Sequence, residues 1–178
     1  MPLFDEVGGE VVNNWYSRTG AFLLGRRTYD IFASYWPQVT DPDDPIAVSI
    51  NNGHKYVVTS SPVGDVWADV TTVLGADFLD RIRELKEQDG DELQVHGSIQ
   101  LARTLHEADL VDIYRFLIAP VFVGGGLRLF EGDGPAHTLS VTEGIVTPSG
   151  VVALELIPGE FRQADTVVED GRDTVAGA

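Results

Sequence analysis

The 178-residue chain is 43% apolar, enough for one domain with a core of its own. It contains no cysteine, which excludes disulfides, thiolate metal sites and a cysteine nucleophile, and no apolar run approaches the ~20 residues of a membrane span. A formal net charge of −16 argues against a nucleic-acid backbone as partner, and the acidic start does not have the form of a secretory leader, so a cytoplasmic setting is the default expectation.

Residues 3–18 place Phe4, Val7, Val11 and Trp15 on one helical face, widened by Leu3, Val12 and Tyr16. Gly8 and Gly9 weaken this helix by roughly 1 kcal/mol each. A buried strand follows at 21–24. Tyr29, Phe32, Ala33 and Trp36 then recur at three- and four-residue steps, so a helix begins at Arg26 and ends by Trp36-Pro37. Residues 38–53, rich in Pro, Asp and Asn, read as a surface loop with one short helical turn at 46–50. Strands are expected at 55–59 and 70–73, a helix with a glycine stop at 77–88, and a strand at 92–96. Ser98 is an N-cap for a helix that turns Leu101, Ala102 and Leu105 inward. A strand at 112–119 closes at Pro120, and 127–130 reads as a short turn. Segments 139–147 and 151–157 flank Pro148-Ser149-Gly150 as a hairpin. Residues 161–168 either pair once more or trail, and 169–178 are expected to be disordered.

Strands alternating with helices and ending in a hairpin predict an α/β fold, a mainly parallel sheet covered on both faces with an antiparallel edge. Ligands of such sheets gather at the carboxyl ends of strands. Three of those ends carry small or anion-friendly residues: Gly25, Arg26, Arg27 and Thr28; Thr59, Ser60 and Ser61; Gly97 and Ser98. The Gly25 stretch reads as strand, glycine turn and helix start, where unpaired N–H groups and the helix dipole favour a phosphate. A solvated first turn with both arginines facing water accounts for that stretch alone equally well. The three ends together favour one long anionic ligand, a dinucleotide. No G-x-G-x-x-G follows the first strand, so the usual dinucleotide fingerprint is absent from the sequence.

The run GAFLLGRRTYDIFASYWP, followed in order by YVVTSSP, ELQVHGSIQLARTL, DIYRFLIAPVFVGGGLRLFEG and the PSGVV hairpin, resembles the dihydrofolate reductase-like superfamily. It is most similar to the reductase domain at the C-terminus of bifunctional riboflavin-biosynthesis proteins, over roughly residues 3–158. The resemblance implies an NADPH-dependent reductase of a small heterocycle, a homodimer in the cytoplasm, in the three-layer sandwich of that superfamily. It implies that Gly25, Arg26, Arg27 and Thr28 face the cofactor phosphates and that Thr59, Ser60 and Ser61 lie near the adenosine 2′-phosphate. It implies too that Gly97, Ser98 and Ile99 wrap the pyrophosphate. Relatives begin with a further strand and a loop often holding an Asp-Gly pair. This sequence starts at the helix that follows, through a late start or as a true short form. In a true short form an unpaired edge inside the sheet is expected.

Reduction of a C=N or C=O bond also needs a proton donor. Asp5 and Glu6 lie nearest in sequence to where the superfamily keeps an acid, and both also suit a helix N-terminus. His54, His96, His106 and His137 lack metal-ligand spacing, and His96 reads as a satisfied core histidine. Two functions follow: an NADPH-dependent reductase, or a nucleotide-binding or assembly module that kept the fold without the reaction.

Overall fold

A computed structural model describes residues 5–131, 134–163, 165–169 and 172–176. Four strands, β1 (Thr19–Gly25), β2 (His54–Val58), β3 (Thr71–Leu74) and β4 (Glu92–Val95), form a parallel sheet in the order β3-β2-β1-β4. Helix α1 (Glu6–Tyr16) leads into β1; α2 (Arg26–Tyr35) and α3 (Pro45–Asn52) connect β1 to β2. Helix α4 (Phe78–Lys86) links β3 to β4, and α5 (Ile99–Glu107) follows β4. Successive residues of β1 point to opposite faces. Phe22 and Leu24 pack with Tyr29, Ile50, Val57 and Trp67. Leu23 packs on the other face with Leu74, Ile82, Leu101 and Leu105. Burial on both faces is why the strand is an unbroken apolar run.

The remaining core strands, β5 (Tyr114–Ile118), β6 (His137–Val146) and β7 (Val152–Glu160), form an antiparallel sheet ordered β5-β7-β6. The α/β layering and the late hairpin are as the sequence predicts. Strands β4 and β5 do not pair, so the strands fall into separate parallel and antiparallel sheets. Side chains join the two: Arg115 of β5 makes two 2.6 Å bonds to Glu92 of β4 and a 2.8 Å bond to Glu155 of β7. Arg18 adds a 2.7 Å bond to Glu155.

Other expectations need correcting. The loop expected over 38–53 contains α3, a helix of eight residues. Asp44 caps it by accepting from the N–H groups of Ile46 and Ala47, and Pro45 occupies the first turn, where its missing N–H costs nothing. The turn expected at 127–130 forms no regular element. The tail expected to be disordered from 169 carries β8 (Asp165–Glu169) and β9 (Arg172–Ala176), paired only with each other. Its sequence places Thr166, Val167 and Val168 before an Asp-Gly pair and Thr174 and Val175 after it, a hairpin signal set among small and polar residues. Leu3 and Phe4, expected on the face of the first helix, lie outside the described residues, as do 177 and 178.

Candidate functional site

Because β2, β1 and β4 are adjacent and parallel, their carboxyl ends share one rim. The N–H of Gly25 donates to the carbonyl of Gly97 at 3.0 Å, which ties the end of β1 to the end of β4. A Cβ on Gly25 would stand 2.7 Å from Ser98 Oγ. At Gly97, φ is +126° and a Cβ would stand 2.9 Å from Thr28 Oγ1, so both conformation and space require glycine there. These contacts bring the N-termini of α2 and α5 together. Gly25 caps α2 without a side-chain bond, and Ser98 caps α5 by accepting from the N–H of Leu101. Two helix ends, each with unpaired N–H groups and a positive dipole end, therefore lie side by side at the rim. Ile99 opens α5 beside it.

The third strand end lies against the start of α2. Arg26 donates from Nη1 to the Pro62 carbonyl at 2.6 Å and from Nε to Asp30 at 2.9 Å. Its charge is thus committed within the protein. Arg27 is exposed and, among the described residues, makes no hydrogen bond or ion pair. The structure separates a docked Arg26 from an exposed Arg27. Thr59 Oγ1 accepts from the N–H of Ser61 at 3.1 Å, shaping the exposed loop that holds Ser60 and Ser61.

Asp5 and Glu6 stand apart in role. Asp5 is the N-cap of α1: Oδ1 accepts from the N–H of Gly8 at 2.8 Å and Oδ2 from the N–H of Ser149 at 2.6 Å. The Gly8 bond, with those from Ser149, lowers its pKa to about 2. Asp5 is therefore an ionised acceptor that fastens α1 to the β6–β7 turn, an arrangement unsuited to giving up a proton. Glu6 is exposed in the first turn of α1.

A partly buried hydrogen-bond chain lies just behind the rim. His96 Nδ1 is 3.2 Å from Tyr16 Oη, and Nε2 is 3.2 Å from Gln94 Oε1. This assigns the ring proton to Nε2, with the tyrosine hydroxyl donating to Nδ1. Burial, and to a lesser degree the charge of Arg115, lowers the His96 pKa to about 4, and burial raises that of Tyr16 to about 12. Sequence reasoning placed His96 in the core and missed its partners, because Tyr16 lies 80 positions away in the chain. Among the described residues, no cluster of three or more His, Asp or Glu is placed to hold a metal, and no helix is long and apolar enough to cross a membrane.

Residues 5–153 match the family model of the RibD C-terminal domain. The chain belongs to the RibD C-terminal domain family. The uncharacterized protein YyaP of Bacillus subtilis (strain 168) is 24% identical over 143 residues, which cover 79% of this chain and 75% of YyaP. A putative riboflavin biosynthesis protein from Shewanella sp. PV-4 superposes with a TM-score of 0.65 at 20% identity, covering 85% of this chain and 80% of that one. Acinetobacter baumannii RibD gives 0.60 at 15% identity, and the chain spans about half of it, 51%, with 87% of its own length. A pyrimidine reductase-like protein from Corynebacterium diphtheriae gives 0.57 at 13% identity, covering 90% of this chain and 84% of that one. The fold is thus dihydrofolate reductase-like, and the family is reductase-like.

Proposed function

We propose that the chain is an NADPH-dependent reductase of a small heterocyclic substrate, pyrimidine or pteridine in type. The observation that carries this reading is the convergence of α2 and α5 at Gly25, Gly97 and Ser98. Two helix N-termini and bare glycine backbone suit a pyrophosphate. In this reading Gly97, Ser98 and Ile99 hold the pyrophosphate, and Gly25 and Thr28 line its other side. Arg27, with the loop Thr59, Ser60 and Ser61, meets the 2′-phosphate. NADPH, when bound, supplies the hydride; the protein's work is to bind and orient. Asp5 is spent as a cap, so Glu6 is the member of that pair left as the candidate acid. Exposed apolar side chains on β6 and β7, Val141, Ile145, Val146 and Ile157, support a homodimer joined through the antiparallel sheet.

Titration of the protein with NADPH, followed by nicotinamide fluorescence, tests the reading; no binding at millimolar cofactor would remove it. A charged hydrogen bond contributes about 1.5–3 kcal/mol, so Arg27→Ala should weaken NADPH binding by roughly 10- to 100-fold and NADH binding little. Arg26→Ala should cost less, because its guanidinium is already engaged. Equal losses for both cofactors would cancel the assignment of Arg27. The capped, ionised state of Asp5 favours a second reading, a nucleotide-binding module without the reaction. NADPH bound tightly but never oxidised, across a panel of pterins and ribosylaminopyrimidines, would select it.

A further inference from the structure

The three most exposed large apolar side chains among the described residues, Phe122, Val123 and Leu127, share one segment, the one that follows β5. Both ends of that segment are held. A Cβ on Gly150 would stand 3.3 Å from Pro120, so the segment starts packed against the β6–β7 turn. At its other end Arg103 of α5 donates to the Arg128 carbonyl and to Glu131, and Phe130 packs against His106 and Tyr114. Between these anchors run Gly124, Gly125 and Gly126. A Cβ on any of them would meet nothing within 4 Å, and φ is +79° at Gly124 and +145° at Gly126. Conformation rather than crowding requires glycine at those two, and such a run lets the apolar tip pivot. Contiguous apolar groups left in water mark a surface that meets a partner.

Contacts of α1 place this segment at the rim. The Arg115 guanidinium, near the start of β5, lies 5.9 Å from the centre of the Trp15 ring at the end of α1. Asp5, at the other end of α1, bonds Ser149 in the turn beside the end of β5. Helix α1 therefore runs alongside β5 in the opposite sense, and both are about 16 Å long. Arg18, just after α1, and Arg115 both pair with Glu92 at the start of β4. So β5 starts where β4 starts, and it ends, with Pro120 behind it, at the rim. In the dinucleotide reading the 2′-phosphate sits past the end of β2 and the pyrophosphate between β1 and β4. The strand order β3-β2-β1-β4 then sends the nicotinamide past β4, to the side where β5 ends.

We propose that Phe122 and Val123 form the cover of the nicotinamide ring, swung onto it about the glycine run once the cofactor is bound. The proposal rests on the dinucleotide reading above and concerns the half of the cofactor that Gly25, Gly97 and Ser98 leave untouched. An aromatic and a branched apolar side chain over that ring bury its face and exclude water from it. Closure of a segment over bound cofactor is also what commits it to the site.

Chymotrypsin digestion of the full chain, with the cut after Phe122 read by mass spectrometry, tests this. Without ligand that bond should be cut readily. Saturating NADPH should slow the cut about tenfold or more, whereas adenosine 2′,5′-bisphosphate, which lacks the nicotinamide, should leave it unchanged. Phe122→Ser, at a fully exposed position, should keep the melting temperature and the affinity for the bisphosphate, and weaken NADPH binding roughly tenfold. NADPH bound, by its fluorescence, with the cut unchanged would overturn the cover and leave the reductase reading in place. Equal protection by the bisphosphate would overturn it too. So would resistance at Phe122 without any ligand, which growth with protein concentration would trace to a second copy. Absence of NADPH binding would remove the reading and the cover together.

Discussion

His96 shows what burial does to a side chain that titrates near neutrality when exposed. Held between Tyr16 and Gln94 and packed against Phe22 and Phe32, it takes a proton in the folded state only near pH 4, against 6.5 unperturbed. Between those values the unfolded chain binds more protons, so folding stability falls as pH is lowered from 6.5 to 4. His96→Gln keeps a polar group there and removes the titration. The stability difference between the parent protein and this variant should therefore shrink with acidification, by up to about 1.4 kcal/mol per pH unit. Urea unfolding at several pH values reads this directly, and parallel pH profiles would contradict it. The imidazole was placed in the core from sequence because His96 ends an alternating strand. Its lowered pKa was not legible, since desolvation comes from Tyr16, Phe22 and Phe32 folding over it.

At the scale of elements, Arg115 is the tie between the two sheets. For Glu92 and Glu155, burial disfavours ionisation, but hydrogen bonds and charge from Arg115 and Arg18 outweigh it and hold both pKa values below the usual carboxylate range. Depressed carboxylate pKa values give stability that is present above the unfolded value and lost as pH falls through the folded one. Arg115→Met removes the shared partner and leaves the buried Glu155 carboxylate with Arg18 and the Thr142 hydroxyl. It should cost about 2–3 kcal/mol at pH 7 and flatten acid denaturation below pH 4.5. A loss under about 0.5 kcal/mol in urea unfolding would mean the tie is no more than a surface pair. Nothing in the local pattern of β5 predicts this network. Arg115 alternates with Tyr114 and Phe116 as any strand residue does, and its partners lie 23 and 40 positions away.

For the molecule as a whole, the layers and the parallel sheet were legible because the apolar run of β1 and the alternating β2 and β4 are interleaved with helical spacings and followed closely by glycine, threonine or serine. Helix α3 extends beyond the single turn expected at 46–50, because Asp44 and Pro45, which signal a loop in the sequence, serve as its cap and first turn. The separation of Arg26 from Arg27 was not legible either, since it depends on where Asp30 and Pro62 come to lie. All of the functional account rests on two helix ends meeting at the rim and gripping a dinucleotide. Amide proton–nitrogen spectra of the isotope-labelled protein, recorded as NADPH is added, test it most directly. The account predicts that the largest shifts fall at Gly25, Thr28, Gly97 and Ser98, with smaller ones at Ser60 and Ser61. Shifts confined to β6 and β7, or none at millimolar NADPH, would contradict it.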